Sequence, residues 1–159
     1  MMDLLELLRH DPDASRADAV DKSDCIAFDG WSDRDLGAIA ALGRHESIAA
    51  GATLIEADRA DDRDLFIVVD GQLEAYRVVG GHERRVVVLK SGDLIGEMAF
   101  IDGRPRSASV RALTAAAVLR IRAADVQVLC RTDPALGLKL VWEIVKVLSA
   151  RVRRVTTTI

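Results

Sequence analysis

Residues 94–112 read LIGEMAFIDGRPRSASVRA, and this order of residues does not suit a packed core. Gly96 allows the backbone to approach a neighbour closely, and residues 97–100 contain no helix breaker, so they can form one helical turn. The Asp-Gly pair at residues 102–103 then reverses the chain. The segment therefore predicts a strand, a helical turn and a loop that together surround a small ligand.

The side chains of this segment suit a ligand that carries both a phosphate and hydroxyl groups. Pro105 stiffens the loop that presents Arg106, whose forked guanidinium can bind two phosphate oxygens at once. Glu97 is an acceptor, which suits the hydroxyls of a sugar on the same ligand. Ser107 adds a hydroxyl, Ala108 leaves its backbone N–H unobstructed, and the unpaired N–H groups of the helical turn favour an anion. These features predict a pocket for a ribose-phosphate.

Around this segment the sequence pattern predicts short strands. The apolar runs are SIAAGATLIEA, DLFIVVDG, QLEAYRVV, RRVVVLK, SASVRAL and AAVLRIR, separated by turn residues at spacings of roughly eight to twelve residues. Gly80 and Gly81 predict a tight hairpin, since consecutive glycines permit positive φ angles. Residues 107–112 alternate between small or apolar and polar side chains, which predicts one dry and one wet face. We expect an antiparallel barrel or sandwich over about residues 46–122.

Predicted helices flank the strands. Ser32 is placed to cap a helix that Gly43 ends, and the run DLLELL at residues 3–8 is a further helical patch. After the strands, a short helix is expected to end before Pro134, which then opens a longer one reaching about residue 155. The predicted organisation is an N-terminal helical extension, residues 1–32, and one domain, residues 33–159, with C-terminal helices over about 123–155.

The long C-terminal helix carries an apolar surface wider than one barrel wall would cover. Its main stripe consists of Val141, Ile144, Val145, Leu148, Val152 and Val155, widened by Leu136, Leu140 and Val147. Trp142 lies to one side and is expected in the core. Two interpretations stay open: the helix is sunk between the barrel and the N-terminal helices, or it also packs against its twin in a homodimer.

Composition excludes several classes of protein. A length of 159 residues fits one domain with a short appendage, and a net charge of −3 does not favour direct binding of nucleic acid. No apolar run approaches the roughly 18 to 20 residues that cross a membrane, and the N-terminus lacks a secretory signal, so a cytoplasmic location is expected.

Cys25 and Cys130 are read as incidental thiols and the three histidines are scattered, so no metal is expected. The charged run ADRADDRD, residues 57–64, is predicted to be a solvated loop.

The run GEMAFIDGRPRSASVRA resembles the phosphate-binding cassette of cyclic nucleotide-binding domains, the family that includes the catabolite activator protein and the regulatory subunits of protein kinase A. The likeness extends to Gly71 in VVDGQLEAY and Gly92 in SGDLIGE, and covers roughly residues 33–155. It implies a mainly β fold with flanking helices: an eight-stranded antiparallel β-roll, or jelly roll, between N-terminal helices and a C-terminal hinge helix. It also implies a 3′,5′-cyclic nucleotide as the ligand.

The resemblance assigns roles to individual residues. Glu97 would hold the ribose 2′-hydroxyl, and Arg106 would pair with the cyclic phosphate. The expected ligand-binding set is Gly96, Glu97, Met98, Ala99, Arg106, Ser107, Ala108, Val87 and Leu89, in which backbone amides of residues 98, 99 and 108 complete the phosphate cradle and the last two face the base. By position alone, Val147, Leu148 and Arg151 are the candidates for capping the base from the C-terminal helix.

The resemblance implies a non-catalytic sensor for cAMP, with cGMP as the alternative because a serine after the arginine suits either base. Its C-terminal helix would move on binding and signal through an effector protein or a second copy. No DNA-recognition helix follows the long helix in this sequence, so direct action on nucleic acid is not expected. Two alternatives remain: an interaction scaffold whose pocket no longer binds nucleotide, and a cupin-like metal enzyme, which the lack of an HxH pair disfavours.

Overall fold

The apolar runs of the sequence form antiparallel strands in two four-stranded sheets. The structure, a computed structural model, describes residues 27–157. Within them the strands are β1 (Arg44–Ile48), β2 (Thr53–Ile55), β3 (Leu65–Asp70), β4 (Leu73–Val79), β5 (His82–Leu89), β6 (Leu94–Ile95), β7 (Ser109–Ala112) and β8 (Ala116–Ile121). One sheet has the order β1-β8-β3-β6 and the other β2-β7-β4-β5. The predicted β-roll with flanking helices is confirmed.

Four helices accompany the sheets in the described part of the chain. They are α1 (Asp33–Leu42), α2 (Glu97–Asp102), α3 (Ala123–Thr132) and α4 (Pro134–Thr157). Ser32 caps α1 as predicted, since its hydroxyl accepts the backbone N–H of Asp35 at 3.2 Å. Pro134 opens α4, whose last residue lies two positions beyond the predicted end.

The strand β3 shows why the two sheets pack as they do. All but its last residue are buried, because each face of the strand meets a different core. Leu65, Ile67 and Val69 pack against the helices, whereas Phe66 and Val68 point between the two sheets. The run therefore lacks the alternation of a half-solvated strand. This sheet is the central layer, with the helices on one side and the second sheet on the other.

The hairpin between β4 and β5 forms where the sequence predicts it. Val79 pairs with His82, and the two glycines between them have φ values of 61° and 80°. Both values lie in the left-handed region, which a two-residue primed turn requires. β5 is thereby the edge strand of its sheet.

The outer face of the β2-β7-β4-β5 sheet is polar, as the alternation in residues 107–112 predicts. Buried Glu74 accepts hydrogen bonds from Arg85 and from Arg111, the latter at 2.7 Å. Burial raises the pKa of the Glu74 carboxyl, but the two arginine hydrogen bonds lower it further, so the net shift is below its ordinary value. Arg111 also lies over the Tyr76 ring. The dry face of β7 is formed by Val110 and Ala112.

The apolar face of α4 differs from the predicted stripe. The core side is formed by Leu136, Leu140, Ile144 and Val147, all at most 7% exposed. Three residues of the predicted stripe are largely exposed, as is the tryptophan expected in the core: Val145, Val152, Val155 and Trp142, at 44, 64, 66 and 62%. The helix has more apolar residues than the barrel can cover, so periodicity alone could not decide which side is buried.

The N-terminal segment docks on α4 through a buried carboxylate. Glu143 is 4% exposed and accepts hydrogen bonds from the Trp31 indole at 2.9 Å and from the Phe28 backbone at 3.3 Å. Lys146 pairs with the same carboxylate at 2.6 Å, and Lys139 lies 4.6 Å from the Trp31 ring centre. These contacts make Trp31 a reporter of the position of α4.

Several predictions about the N-terminus fall outside residues 27–157. They include the helical patch at residues 3–8, most of the extension predicted for residues 1–32, and Cys25. Cys130 lies within the described residues and is exposed, with a free thiol. Among the helices that the structure describes, none combines the length and the apolarity needed to span a bilayer.

Candidate functional site

A cavity of about 420 Å³ lies between the β2-β7-β4-β5 sheet, α2 and the C-terminal half of α4. All nine residues of the predicted set line it: Gly96, Glu97, Met98, Ala99, Arg106, Ser107, Ala108, Val87 and Leu89. None of them lines the second cavity, of about 490 Å³, at the ends of α1 and β8. The volume falls in the range of about 300 to 1,000 Å³ that is usual for small-molecule sites. The contacts of the nine predicted residues with a ligand remain predictions.

Gly96 sets the geometry of the site at the entry to α2. Its φ of +83° is left-handed, and its carbonyl accepts hydrogen bonds from the Phe100 backbone at 3.1 Å and from Arg106 Nη1 at 3.2 Å. A Cβ at this position would lie 2.2 Å from Arg106 Nη1 and 2.9 Å from the Asp64 carbonyl oxygen. Only glycine satisfies both the backbone conformation and this close approach.

Arg106 is a buried cation on the wall of the cavity, with 3% of its surface exposed. Its Nη2 donates to the Asp64 carbonyl at 2.8 Å and lies 2.9 Å from a carboxylate oxygen of Asp62. Its guanidinium carbon lies 5.8 Å from the Phe66 ring centre. Its Nε is buried and has no hydrogen-bond partner among residues 27–157. Since a buried donor is seldom left unpaired, Nε is the group of this arginine that an anion in the cavity could satisfy.

Glu97 is the second buried charge of the site, with 3% of its surface exposed. One of its carboxylate oxygens accepts a hydrogen bond from Arg151 Nη1, and Arg151 Nη2 donates to the Leu94 carbonyl at 2.7 Å. Arg151 belongs to α4, so this pair fastens the C-terminal helix to the start of α2. The carboxylate lines the cavity and can also accept a hydroxyl there.

The remaining polar surface comes from backbone and loop groups. Met98 and Ala99 lie in the first turn of α2, where the backbone N–H groups lack an acceptor within the helix. Ala99 is buried, whereas the Met98 side chain is 46% exposed at the mouth of the cavity. Ser107 is exposed and Ala108 half-buried on the loop beyond Arg106. All four of these residues line the cavity.

A strand and a helix also line the cavity, mostly with apolar side chains. Val86, Val87 and Leu89 contribute from β5. From α4 the lining residues are Leu148, Arg151, Val152, Val155 and Thr156. Two of the three candidates for a base-capping residue thus reach the cavity. Val147 does not, because it is 3% exposed and packs in the core between α4 and the sheet.

The charged loop at residues 57–64 is not simply solvated, which corrects the prediction from sequence. Asp62 faces Arg106, and its side chain is 28% exposed. Asp64 accepts a hydrogen bond from Arg120 Nε at 2.7 Å and one from the Ala123 backbone at 3.3 Å, at the start of α3. The hydrogen bond that Arg120 donates to Asp64 raises the pKa of Arg120, against the opposing effect of burial. Sequence position could not show which acids of the run turn inwards.

Two of these residues were missed or undervalued from sequence. Asp62 was one acid among several in a polar run, and no local signal marks it. Arg151 was a candidate only for the base, although its contact is with Glu97. Its spacing from Leu148, Val152 and Val155 gives the helical period of a single face, which was the available signal. Within residues 27–157, no group of three His, Cys, Asp or Glu side chains is placed to hold a metal ion.

Comparisons with known proteins point to one family. A family model described as cyclic nucleotide-binding domain matches residues 45–133. A cyclic nucleotide-gated potassium channel of Mesorhizobium japonicum is 36% identical over 94 residues, which cover 59% of this chain and 24% of the channel. The chain thus spans about a quarter of that relative's length.

Solved structures show the same fold. A cyclic nucleotide-binding domain from Methylobacillus flagellatus superposes with a TM-score of 0.76 at 22% identity, covering 83% of this chain and 74% of the other. The regulatory domain of Toxoplasma gondii PKA, crystallised with cAMP, gives a TM-score of 0.58 at 27% identity, covering 65% of this chain and 39% of the other.

Proposed function

The chain belongs to the cyclic nucleotide-binding domain family, and on that premise we propose that it is a non-catalytic sensor whose ligand is cAMP. The observation that carries the proposal is that buried Arg106, whose Nε has no partner among residues 27–157, lines the same cavity as Glu97. A cyclic phosphate would satisfy that donor, and the ribose 2′-hydroxyl would donate to the carboxylate. Amides of the first turn of α2 would complete the phosphate site.

The apolar wall supports a purine base as the third part of the ligand. Val87 and Leu89 would contact one side of the base, and Leu148 of α4 the other. The cAMP bound to the related Toxoplasma domain supports adenine as that base. Ser107 is compatible with guanine as well, so cGMP is the alternative ligand to compare.

Cyclic AMP at 100 times its dissociation constant is expected to stabilise the protein by about 2.7 kcal/mol. For a domain of this size that corresponds to a rise in Tm of about 5 to 10 °C. Thermal unfolding with and without cAMP checks the result, and calorimetry with cAMP and cGMP gives the two affinities. AMP, which has the same base but no cyclic phosphate, is the control. No shift with any cyclic nucleotide would instead support the interaction scaffold.

We propose that α4 carries the signal, because it is tied to the site by the Arg151 contacts with Glu97 and Leu94. A ribose hydroxyl that binds Glu97 must share this carboxylate with Arg151. Weakening of the Arg151 contact by the hydroxyl would favour a different position for the end of α4, and a difference of this kind is what shifts a conformational equilibrium. In the same titration the emission of Trp31 should change, since its indole is bonded to Glu143 of α4. A Trp142→Phe background removes the other tryptophan from the signal.

We propose that the exposed side of α4 packs against a second copy of the chain. The signal would then pass through this homodimer or to an effector protein. The exposed residues Leu138, Trp142, Val145 and Val152 follow a spacing of four, three and seven positions. This is the spacing of a coiled-coil seam, which is self-complementary when two identical helices pair.

Sedimentation at micromolar concentration is expected to give twice the monomer mass, and Trp142→Glu should reduce it to the monomer. The physical reason is that a charge at the centre of an apolar helix seam must be desolvated on association. Val79→Glu is the matched control, since Val79 is 53% exposed but lies on the β4–β5 hairpin. A wild-type protein that sediments as a monomer would exclude this dimer.

A further inference from the structure

Asp62 is the only carboxylate within ion-pair distance of Arg106 in the described part of the chain. Its Oδ1 atom lies 2.9 Å from Arg106 Nη2. The guanidinium is already oriented by other groups: two backbone carbonyls, those of Gly96 and Asp64, accept its N–H groups at 3.2 and 2.8 Å. The Phe66 ring lies beneath it. These groups orient the arginine without the charge of Asp62. Asp62 Oδ1 also accepts the Asp64 backbone N–H at 2.9 Å, a bond that an asparagine Oδ1 can keep.

What Asp62 does supply is a negative charge beside the cation that an anionic ligand needs. The same Oδ1 atom lies 3.6 Å from Arg120 Nη2, so the carboxylate stands between two arginines. Arg120 has a nearer partner in Asp64, at 2.7 Å. Arg120 can nevertheless pair more closely with Asp62 when Arg106 pairs with another anion. The carboxylate thus has a second cation that stabilises its charge once it loses the first.

We propose that Asp62 is an internal competitor of the ligand: its carboxylate neutralises Arg106 and thereby sets the affinity of the cavity for the phosphate of a cyclic nucleotide. The inference rests on the proposed function. A bound phosphate must compete with Asp62 for Arg106, and the Asp62–Arg106 attraction that it overcomes is strong because the arginine is desolvated. Removal of the carboxylate charge is therefore expected to strengthen binding, whereas loss of an orienting contact would weaken it. The sign of the change separates the two roles.

The test compares Asp62→Asn with Asp61→Asn in the full chain. Both variants remove one negative charge from the same loop, but Asp61 is 63% exposed and pairs with Arg59 at 2.6 Å, not with Arg106. We expect Asp62→Asn to lower the Kd for cAMP by about three- to tenfold relative to both the wild type and Asp61→Asn. An unchanged or higher Kd in Asp62→Asn would overturn the proposal.

A double-mutant cycle shows whether the effect passes through Arg106. In an Arg106→Ala background there is no attraction between Asp62 and Arg106 for the ligand to overcome, so Asp62→Asn should strengthen cAMP binding less than it does in the wild-type background. An equal gain in both backgrounds would mean a general charge effect and would contradict the proposal. If the wild type binds no cyclic nucleotide, the proposed function fails; if it binds and Asp62→Asn binds no more tightly, only this inference fails.

Discussion

Arg106→Ala is expected to weaken cAMP binding at least about tenfold, a loss of about 1.4 kcal/mol or more. Removing one partner of a desolvated, hydrogen-bonded charge pair costs about 2 to 5 kcal/mol. Arg106 meets that description, since it is 3% exposed and lines the cavity. Calorimetric titration of wild type and variant with cAMP measures the change. The loss should appear in the binding enthalpy as well as in the affinity, because an ionic contact is removed.

Two further variants make this result specific to Arg106. Arg104→Ala removes an arginine from the same loop, but Arg104 is exposed and is not among the residues that line the cavity, so its affinity should equal that of the wild type. Arg106→Lys keeps the charge without the fork and should bind with an intermediate affinity. Chemical denaturation of each variant establishes that it is folded at the temperature of the titration. An Arg106→Ala protein that is folded and binds like the wild type would remove the basis of the proposed function.

Gly96→Ala is expected to lower both stability and affinity. A left-handed φ costs an L-residue about 1 to 2 kcal/mol, and overpacking at a tight site adds about 1 to 3 kcal/mol. At Gly96 the added methyl group would meet Arg106 Nη1 at 2.2 Å and the Asp64 carbonyl at 2.9 Å. The backbone carbonyl cannot move readily, so the arginine must. We therefore expect a Tm lower by several degrees and a Kd for cAMP raised at least about tenfold.

Gly92→Ala separates the effect of displacing Arg106 from the effect of backbone strain. Gly92 has a φ of +88°, close to that of Gly96, but nothing lies within 4 Å of an added Cβ. Its variant should lose only the backbone contribution to stability and should keep its affinity for cAMP. If Gly96→Ala and Gly92→Ala have the same affinity, the close approach of Arg106 to Gly96 does not matter for binding.

The two buried charges of the site share one arrangement. Each charged group that the ligand would need is engaged by the protein itself: Glu97 by Arg151 of α4, and Arg106 by Asp62 of the β2–β3 loop. Buried charges require such partners, because an isolated ion in a low-dielectric environment is strongly destabilised. A ligand that takes over either contact therefore changes the partner as well. For Glu97 that partner is Arg151, which belongs to the C-terminal helix α4.

The strands, turns and cassette were predictable from sequence because each depends on neighbours close along the chain. Gly80 and Gly81 define a turn by their own φ angles, and Ser32 caps a helix that begins at the next residue. Glu97 and Arg106 stand nine positions apart within one short segment, so their order alone indicated a common ligand. Local stereochemistry was enough to predict an antiparallel barrel or sandwich and the cassette, and the resemblance to the family added the eight-stranded β-roll and the full set of nine residues that line the cavity.

The tertiary structure alone decided which distant charges complete the site and which side of α4 is buried. Asp62 and Arg151 reach the cassette from a loop and a helix that are far from it in sequence, and their contacts depend on how the elements pack. Val147 enters the core while Val152 remains exposed, although both are apolar residues of one helix. Periodicity describes the surface that a helix offers, whereas burial and charge pairing depend on what meets that surface.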